Sequence, residues 1–215
     1  MSPRRATVLR GGERSLRDHL IAAAEALIAR RGTAGLTVRD IAREARVADG
    51  VLYNHFADKE DLLAQALHAH VRSVERSLGE VRTQAGTGSV EDNLRAYITR
   101  GLALHTAILP AFAGLLAQPK VLTRFAALPG PMAGGQGLRA RLADYLRAER
   151  DLGRLAPHAD PDMAATMITG ACHEVILPAL LRGDPAAEIA VPDGFADDLV
   201  TAVLSGIGLR APDPA

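Results

Sequence analysis

Side chains able to read a nucleic acid gather in one short stretch, LTVRDIAREARVADGVLYNHFADK, from Leu36 to Lys59. Thr37 is a side-chain N-cap with Asp40 three residues on, the pair that makes a capping box. Val38, Ile41, Ala42 and Ala45 recur at helical spacing and give one narrow apolar stripe. A break at Arg46-Val47 separates this very short helix from a second one, whose inward contacts are Val51, Leu52 and Phe56. Its other face shows Asp49, Gly50, Tyr53, Asn54 and His55. Two short helices joined by a turn of ~3–4 residues form a helix-turn-helix, whose second helix enters the major groove of DNA.

Elsewhere the reactive residue types do not converge. Cys172, His173 and Glu174 are consecutive, and neighbours on a helix point about 100° apart, so they do not meet at one atom. His68 and His70 lie two apart, where a helical metal pair needs i, i+4 spacing, and are read as solvated surface side chains. The sequence holds no Gly-rich phosphate loop and no nucleophile elbow. No catalytic centre, metal site or cofactor is predicted.

Composition bounds this reading. A chain of 215 residues suffices for one large or two small domains with a real core. Hydrophobic residues make up 48%, yet no apolar run approaches the ~18 residues of a membrane span, so a soluble protein with no membrane partner is expected. Arg4, Arg5 and Arg10 are not followed by the apolar core of a signal peptide, and Cys172 has no second cysteine to pair with; both features point to the cytoplasm. Basic and acidic residues balance at 25 each, but residues 1–60 hold 11 Lys/Arg against 8 Asp/Glu. Arginine outnumbers lysine 23 to 2, a compositional bias that is no sign of nucleic acid by itself. The mild asymmetry suits a module that touches DNA at one end, through a few placed contacts and dimerisation.

The elements that position these residues are helices throughout. Periodicity predicts an all-α chain of about nine helices, with no strand alternation. Residues 1–13, with Pro3, Gly11 and Gly12 among arginines, read as a disordered basic arm, either a solvated tail or an arm for the adjacent minor groove. Residues 14–60 form an N-terminal three-helix bundle with the helix-turn-helix, and residues 61–215 a helical domain for ligand binding and dimerisation. The first helix spans Leu16 to Arg31 and is closed by Gly32. The fourth starts near Asp58, an N-cap with Asp61 at its third position, and runs to about Gln84. Further helices are expected from Val90 to Leu109, stopping at Pro110, and over Ala111–Gln118 and Lys120–Leu128. A flexible Pro129–Gly137 stretch leads to a helix over Leu138–Asp151. The last two run from Pro161 to Arg182, kinked at Pro178, and from Pro192 to Ile207.

The N-terminal part resembles the DNA-binding domain of the tetracycline-repressor (TetR) family of bacterial transcriptional regulators. The resemblance runs from about Ser15 to Leu63. It takes in the long helix LRDHLIAAAEALIARRG, the linker glycines with Leu and Thr (Gly32, Gly35, Leu36, Thr37), the run Val-Leu-Tyr-Asn-His-Phe (Val51 to Phe56), and Ala57 to Leu63 opening the next helix. It implies a repressor that binds a palindromic operator as a homodimer and is released by a small molecule. The alternatives are a constitutive DNA-binding regulator without effector and a small helical enzyme or carrier.

The resemblance also implies a DNA-contact set. Thr37 and the first amides of its helix face a phosphate, and Arg39 reaches a phosphate or a guanine edge. Tyr53, His55 and Lys59 are phosphate donors that fix register. Ala48, Asp49, Gly50, Val51 and Asn54 line the face nearest the bases, with Gly50 allowing close backbone approach, Val51 touching a thymine methyl and Asn54 reading adenine. Asp49 departs from the family pattern, in which a neutral or basic residue is commoner. A carboxylate there serves either as a helix-start charge or as an acceptor for cytosine N4.

In the second half, Leu104, His105, Ile108, Phe112, Leu115, Phe125, Leu142, Tyr145, Met167 and His173 are the candidate walls of a cavity for a small apolar or amphipathic effector. The helix over 161–182 is apolar nearly all round and is expected to be buried on every side. With the helix over 192–207 it is read as a homodimer seam, Gly170, Ala171, Ala202 and Gly206 permitting close approach.

Overall fold

The computed structural model describes residues 3–79, 84–115, 118–129, 137–181 and 189–205, with backbone only for residues 3–14, 113 and 179–181. Among these residues there are nine helical segments and no strand: α1 (Pro3–Arg31), α2 (Val38–Ala45), a 3-10 helix (Asp49–Asn54), α3 (Lys59–Ser77), α4 (Val90–Ala113), α5 (Pro119–Ala127), α6 (Leu138–Asp151), α7 (Pro161–Leu181) and α8 (Phe195–Ser205). The all-α expectation holds. Among the described residues no helix is long and apolar enough to cross a membrane.

The first helix begins at Pro3 and so takes in residues 3–13, the stretch read as an arm. Proline at the first helical position lacks only an N–H that would be unpaired anyway, and its φ is already helical. α3 ends at Ser77 instead of reaching Gln84, and Gly79 follows at φ +70, which interrupts helical geometry. Pro110 does not end α4, which runs on to Ala113, and among the described residues of 111–118 no separate helix begins. Most of the Pro129–Gly137 stretch, together with Gly206 and Ile207, lies outside the described residues.

The chain divides into two compact units, Met1–Ser77 with Ala107–Gly134, and Leu78–Thr106 with Gly135–Ala215. This differs from the expected boundary after residue 60, since α3, the end of α4 and α5 belong with the helix-turn-helix. In the first unit, α1 packs on α2 and α3, and α3 on α5, around Leu20, Ile28, Leu36, Ile41, Leu62, Leu63 and Leu67. Two clamps fix it. Thr33, fully buried in the α1–α2 loop, donates from Oγ1 to the Ala111 carbonyl at 2.8 Å. Gly114 lies against that loop so closely that a Cβ there would be 2.5 Å from Ala34 N. These contacts offset the roughly 3 kcal/mol that a proline inside a helix costs. On the other side Arg124 of α5 grips both carboxylate oxygens of Asp58, one at 2.7 Å.

In the second unit, α7 packs on α6 and α8, around Leu94, Ile98, Leu142, Leu146, Ile168 and Ile176. Asp160 caps α7 by accepting from the amides of Asp162 and Met163 at 3.0 Å each, with Pro161 at the first helical position. Glu149, fully buried, accepts from Gly86 N–H at 3.3 Å and faces Arg154 at 3.2 Å, tying the 84–89 turn to the end of α6. α7 is buried on one face only, through Ala165, Ile168, Cys172 and Ile176. Met163, Met167 and Leu177 are about half exposed on the other in the single chain, the face expected to lie in the homodimer seam.

Candidate nucleic-acid interface

Local chemistry builds the α2 scaffold. Asp40 N–H donates to Thr37 Oγ1 at 3.1 Å, and Thr37 N–H donates to Asp40 Oδ2 at 3.0 Å, the reciprocal capping box. The Thr37 hydroxyl also donates to Asp40 Oδ2 at 2.6 Å, and Arg31 stands 3.2 Å from the same oxygen. The threonine hydroxyl, then Arg31, hold the Asp40 carboxyl below the usual carboxylate range. This engages Thr37 within the protein and leaves the next amides as the open end of α2.

α2 stops at Arg46, a non-glycine residue in the left-handed region at φ 57, with Val47 N–H bonded to Ala42 O at 3.0 Å. The segment that follows is a 3-10 helix, tighter than an α-helix, with Val51 N–H to Ala48 O and His55 N–H to Leu52 O both at 3.0 Å. Leu52 and Phe56 are its buried anchors, and Arg17 of α1 lies over the Phe56 ring at 4.6 Å. The next element is capped by Asp58, which accepts from Asp61 N–H at 2.9 Å. Arg124, then the Asp61 amide, hold the Asp58 carboxyl below its ordinary range.

With two anchors inward, the rest face out. Thr37, Arg39, Ala48, Asp49, Gly50, Tyr53 and Asn54 are exposed, and Val51, His55 and Lys59 half-buried. Tyr53 is 61% exposed, the most exposed large apolar side chain described. A Cβ at Gly50 would meet nothing within 4 Å and its φ is not positive, so the fold itself does not require glycine there.

Residues 20–66 match the family described as bacterial regulatory proteins, tetR family. The match covers the helix-turn-helix together with the adjoining parts of α1 and α3. Over 90 residues, 42% of this chain and 45% of the relative, the chain is 31% identical to the HTH-type transcriptional repressor NemR of Escherichia coli K12. The matched stretch thus spans under half the length of that curated relative. The fold likeness is longer. A TetR family transcriptional regulator of Pseudomonas syringae pv. tomato DC3000 superposes with a TM-score of 0.61 at 19% identity, over 88% of this chain and 95% of that one. The transcriptional regulator FadR of Bacillus subtilis, solved in complex with stearoyl-CoA, gives 0.57 at 20% identity, over 88% and 98%.

The candidate effector walls fall into both units. Ile108, Phe112, Leu115 and Phe125 belong to the first. There Phe112 and Phe125 meet edge-on at 5.3 Å, and His68 approaches Phe125 at 6.3 Å. His68 is half-buried and His70 buried, which corrects their reading as surface histidines; α3 packs on both α1 and α5.

Leu104, His105, Leu142, Tyr145, Met167 and His173 belong to the second unit. His105 and Leu142 line a small cavity of about 20 Å³ with Tyr97, Ile98, Gly101, Leu138, Ile168, Thr169 and Cys172. Three of the additional residues, Tyr97, Ile98 and Gly101, share the α4 register 97, 98, 101, 105 with His105, a stripe that spacing alone could have found. His105 meets His173 with ring centroids 4.6 Å apart and planes tilted by 52°. Burial, then the neighbouring imidazole, pushes the His105 pKa down to about 4. Burial pushes the Cys172 thiol up to about 11 and raises the Tyr145 phenol. Met167 does not join them: it is 52% exposed and lines an outer groove of about 380 Å³ with Met163, Leu146, Val203 and Leu204.

Proposed function

We propose that this protein is a cytoplasmic, non-enzymatic repressor that binds a palindromic operator as a homodimer and leaves it when a small apolar or amphipathic molecule binds. The observation that carries the reading is the helix-turn-helix face. Thr37, Arg39, Ala48, Asp49, Gly50, Val51, Tyr53, Asn54, His55 and Lys59 stand outward on a scaffold capped at α2 and α3 and anchored by Leu52 and Phe56. Two such heads read half-sites ~34–36 Å apart. The homodimer forms through residues 161–182 and 192–207; the exposed Met163, Met167, Leu177 and Leu204 support this, because a contiguous apolar face marks an interaction surface.

The effector enters among Tyr97, His105, Leu142 and Cys172, an aliphatic and aromatic setting with few polar groups. The fold likeness to FadR with stearoyl-CoA supports a long-chain acyl ligand. Release requires that the effector bind the DNA-free form more tightly, since a ligand shifts an equilibrium only by its differential affinity. α4 contributes residues to both units and its last turn bonds to Thr33.

The test is fluorescence anisotropy with DNA from upstream of the gene, at ~150 mM salt with excess nonspecific competitor, for wild type and Tyr53→Ala. Saturable binding that survives competitor and falls at least about tenfold in the variant is expected. Binding no tighter than the nonspecific ~10⁻⁴–10⁻⁶ M, there and in a genome-wide DNA selection, would remove the reading. A second reading, a constitutive regulator without effector, is favoured by the roughly 20 Å³ of the inner cavity, room for about one water. A thermal shift with stearoyl-CoA that also weakens DNA binding decides against it.

A further inference from the structure

Arg39 and Asp49 sit on different elements, α2 and the 3-10 helix, yet their side chains meet on the outward face. Arg39 Nε donates to Asp49 Oδ2 at 3.4 Å, with side chains 78% and 51% exposed. Asp49 does not cap its own helix: the N-cap is Ala48, which offers no side-chain bond. An ion pair this exposed adds little to fold stability. What it changes is what Arg39 recognises.

A carboxylate beside a guanidinium cancels much of its charge and repels phosphate, so the pair is ill suited to a backbone contact that gains from counterion release. Guanine O6 and N7 are neutral acceptors that ask for a correctly aimed donor fork instead. With Nε turned to Asp49, the two Nη groups remain to form that fork. A long arginine that is otherwise free in solvent also loses rotamer freedom on binding, and a tether already in place reduces that cost.

We propose that Asp49 is a positioning residue that holds Arg39 for bidentate reading of a guanine, so that the pair specifies one base pair in each half-site. The proposal rests on the reading of this face as the DNA-binding face. It explains why a carboxylate stands where phosphates approach, and it replaces both the helix-start role and direct cytosine reading by Asp49.

The experiment is selection from a random duplex library with the full-length protein as wild type, R39A, D49A, D49N and the R39A/D49A double variant, followed by affinities on the selected site. Both residues are exposed, so equal thermal melting of all five checks that folding is not the variable. Wild type is expected to enrich a motif with a guanine at one position of each half-site. R39A erases that position, with a loss of about five- to a hundredfold. D49A weakens the same position by about two- to fivefold, D49N falls between, and the double variant is no worse than R39A. Three results overturn the proposal: D49A erasing a different, cytosine position; D49A tightening all sequences alike with the motif kept; or R39A lowering the salt slope by about 1 with the motif kept, the mark of a phosphate contact. A wild type that enriches no motif defeats the DNA-binding reading itself, and the proposal with it.

Discussion

The helix-turn-helix head and the second unit are both helical with apolar cores, but they use residue identity differently. In the head, successive turns of chain are set by particular chemistry: Gly32 at φ +70, the Thr37–Asp40 capping box, left-handed Arg46, and Asp58 gripped by Arg124. In the second unit, α4, α6, α7 and α8 pack through Leu, Ile and Ala, which exchange for one another at modest cost when volume is kept. Sequence similarity follows this division, with the family match confined to residues 20–66 while the fold likeness spans most of the chain. A surface that must fit a partner of fixed shape constrains residue type. A helical core constrains only pattern and volume.

Paired glycine substitutions test that contrast most severely. Gly114→Ala drives a Cβ to 2.5 Å from the Ala34 backbone, so unfolding in urea should show a loss of about 3 kcal/mol. Gly101→Ala, on a stretch of α4 where a Cβ meets nothing within 4 Å, should gain about 0.5–1 kcal/mol from helix propensity. Equal effects at the two positions would erase the distinction.

The next effect belongs to the second unit. His105 has its folded pKa depressed from 6.5 to about 4, by burial first and His173 next. The unfolded chain therefore binds more protons between those values. The contribution is complete above pH 6.5, declines as pH falls through the window and is gone below 4, a loss of at most about 3 kcal/mol. Stability measured against pH for wild type and His105→Leu should differ in slope there; parallel curves would show that His105 is not the group responsible.

Smaller is Thr33→Val, which leaves the Ala111 carbonyl without its buried donor and should cost about 1–2 kcal/mol in chemical denaturation. Smallest in stability is Gly50→Ala, expected to leave the melting temperature within about 2 °C of wild type. Its operator affinity should nonetheless fall, since the space at Gly50 is needed only by a partner. Unchanged affinity would mean that the backbone at Gly50 does not approach DNA.

Several structural features were legible beforehand because they depend on neighbours in the chain. The capping box, Asp58 as a cap, α6 from Leu138 to Asp151 and the Asp160-Pro161 start of α7 each need only residues within one turn. The outward set was legible for the same reason: once Leu52 and Phe56 are inward, the short intervening segment has its other residues turned out. The exposure of Met167 was not legible because α7 carries apolar residues on both faces, so periodicity had no polar side to orient it. The burial of His68 and His70 was not legible because α3 is covered from two sides, by α1 and by α5 some fifty residues later, which the spacing of α3 alone does not reveal.

By itself the sequence determined the helical class, most element starts and the residues presented by the helix-turn-helix, all through hydrogen bonds and spacing that close within a few residues. Tertiary structure alone decided that α4 continues through Pro110, that its last turn and α5 join the head, and that Arg39 meets Asp49. Each of these depends on groups brought together from separate elements. A proline's cost or an aspartate's role is settled by what packs against it, and local spacing does not carry that information.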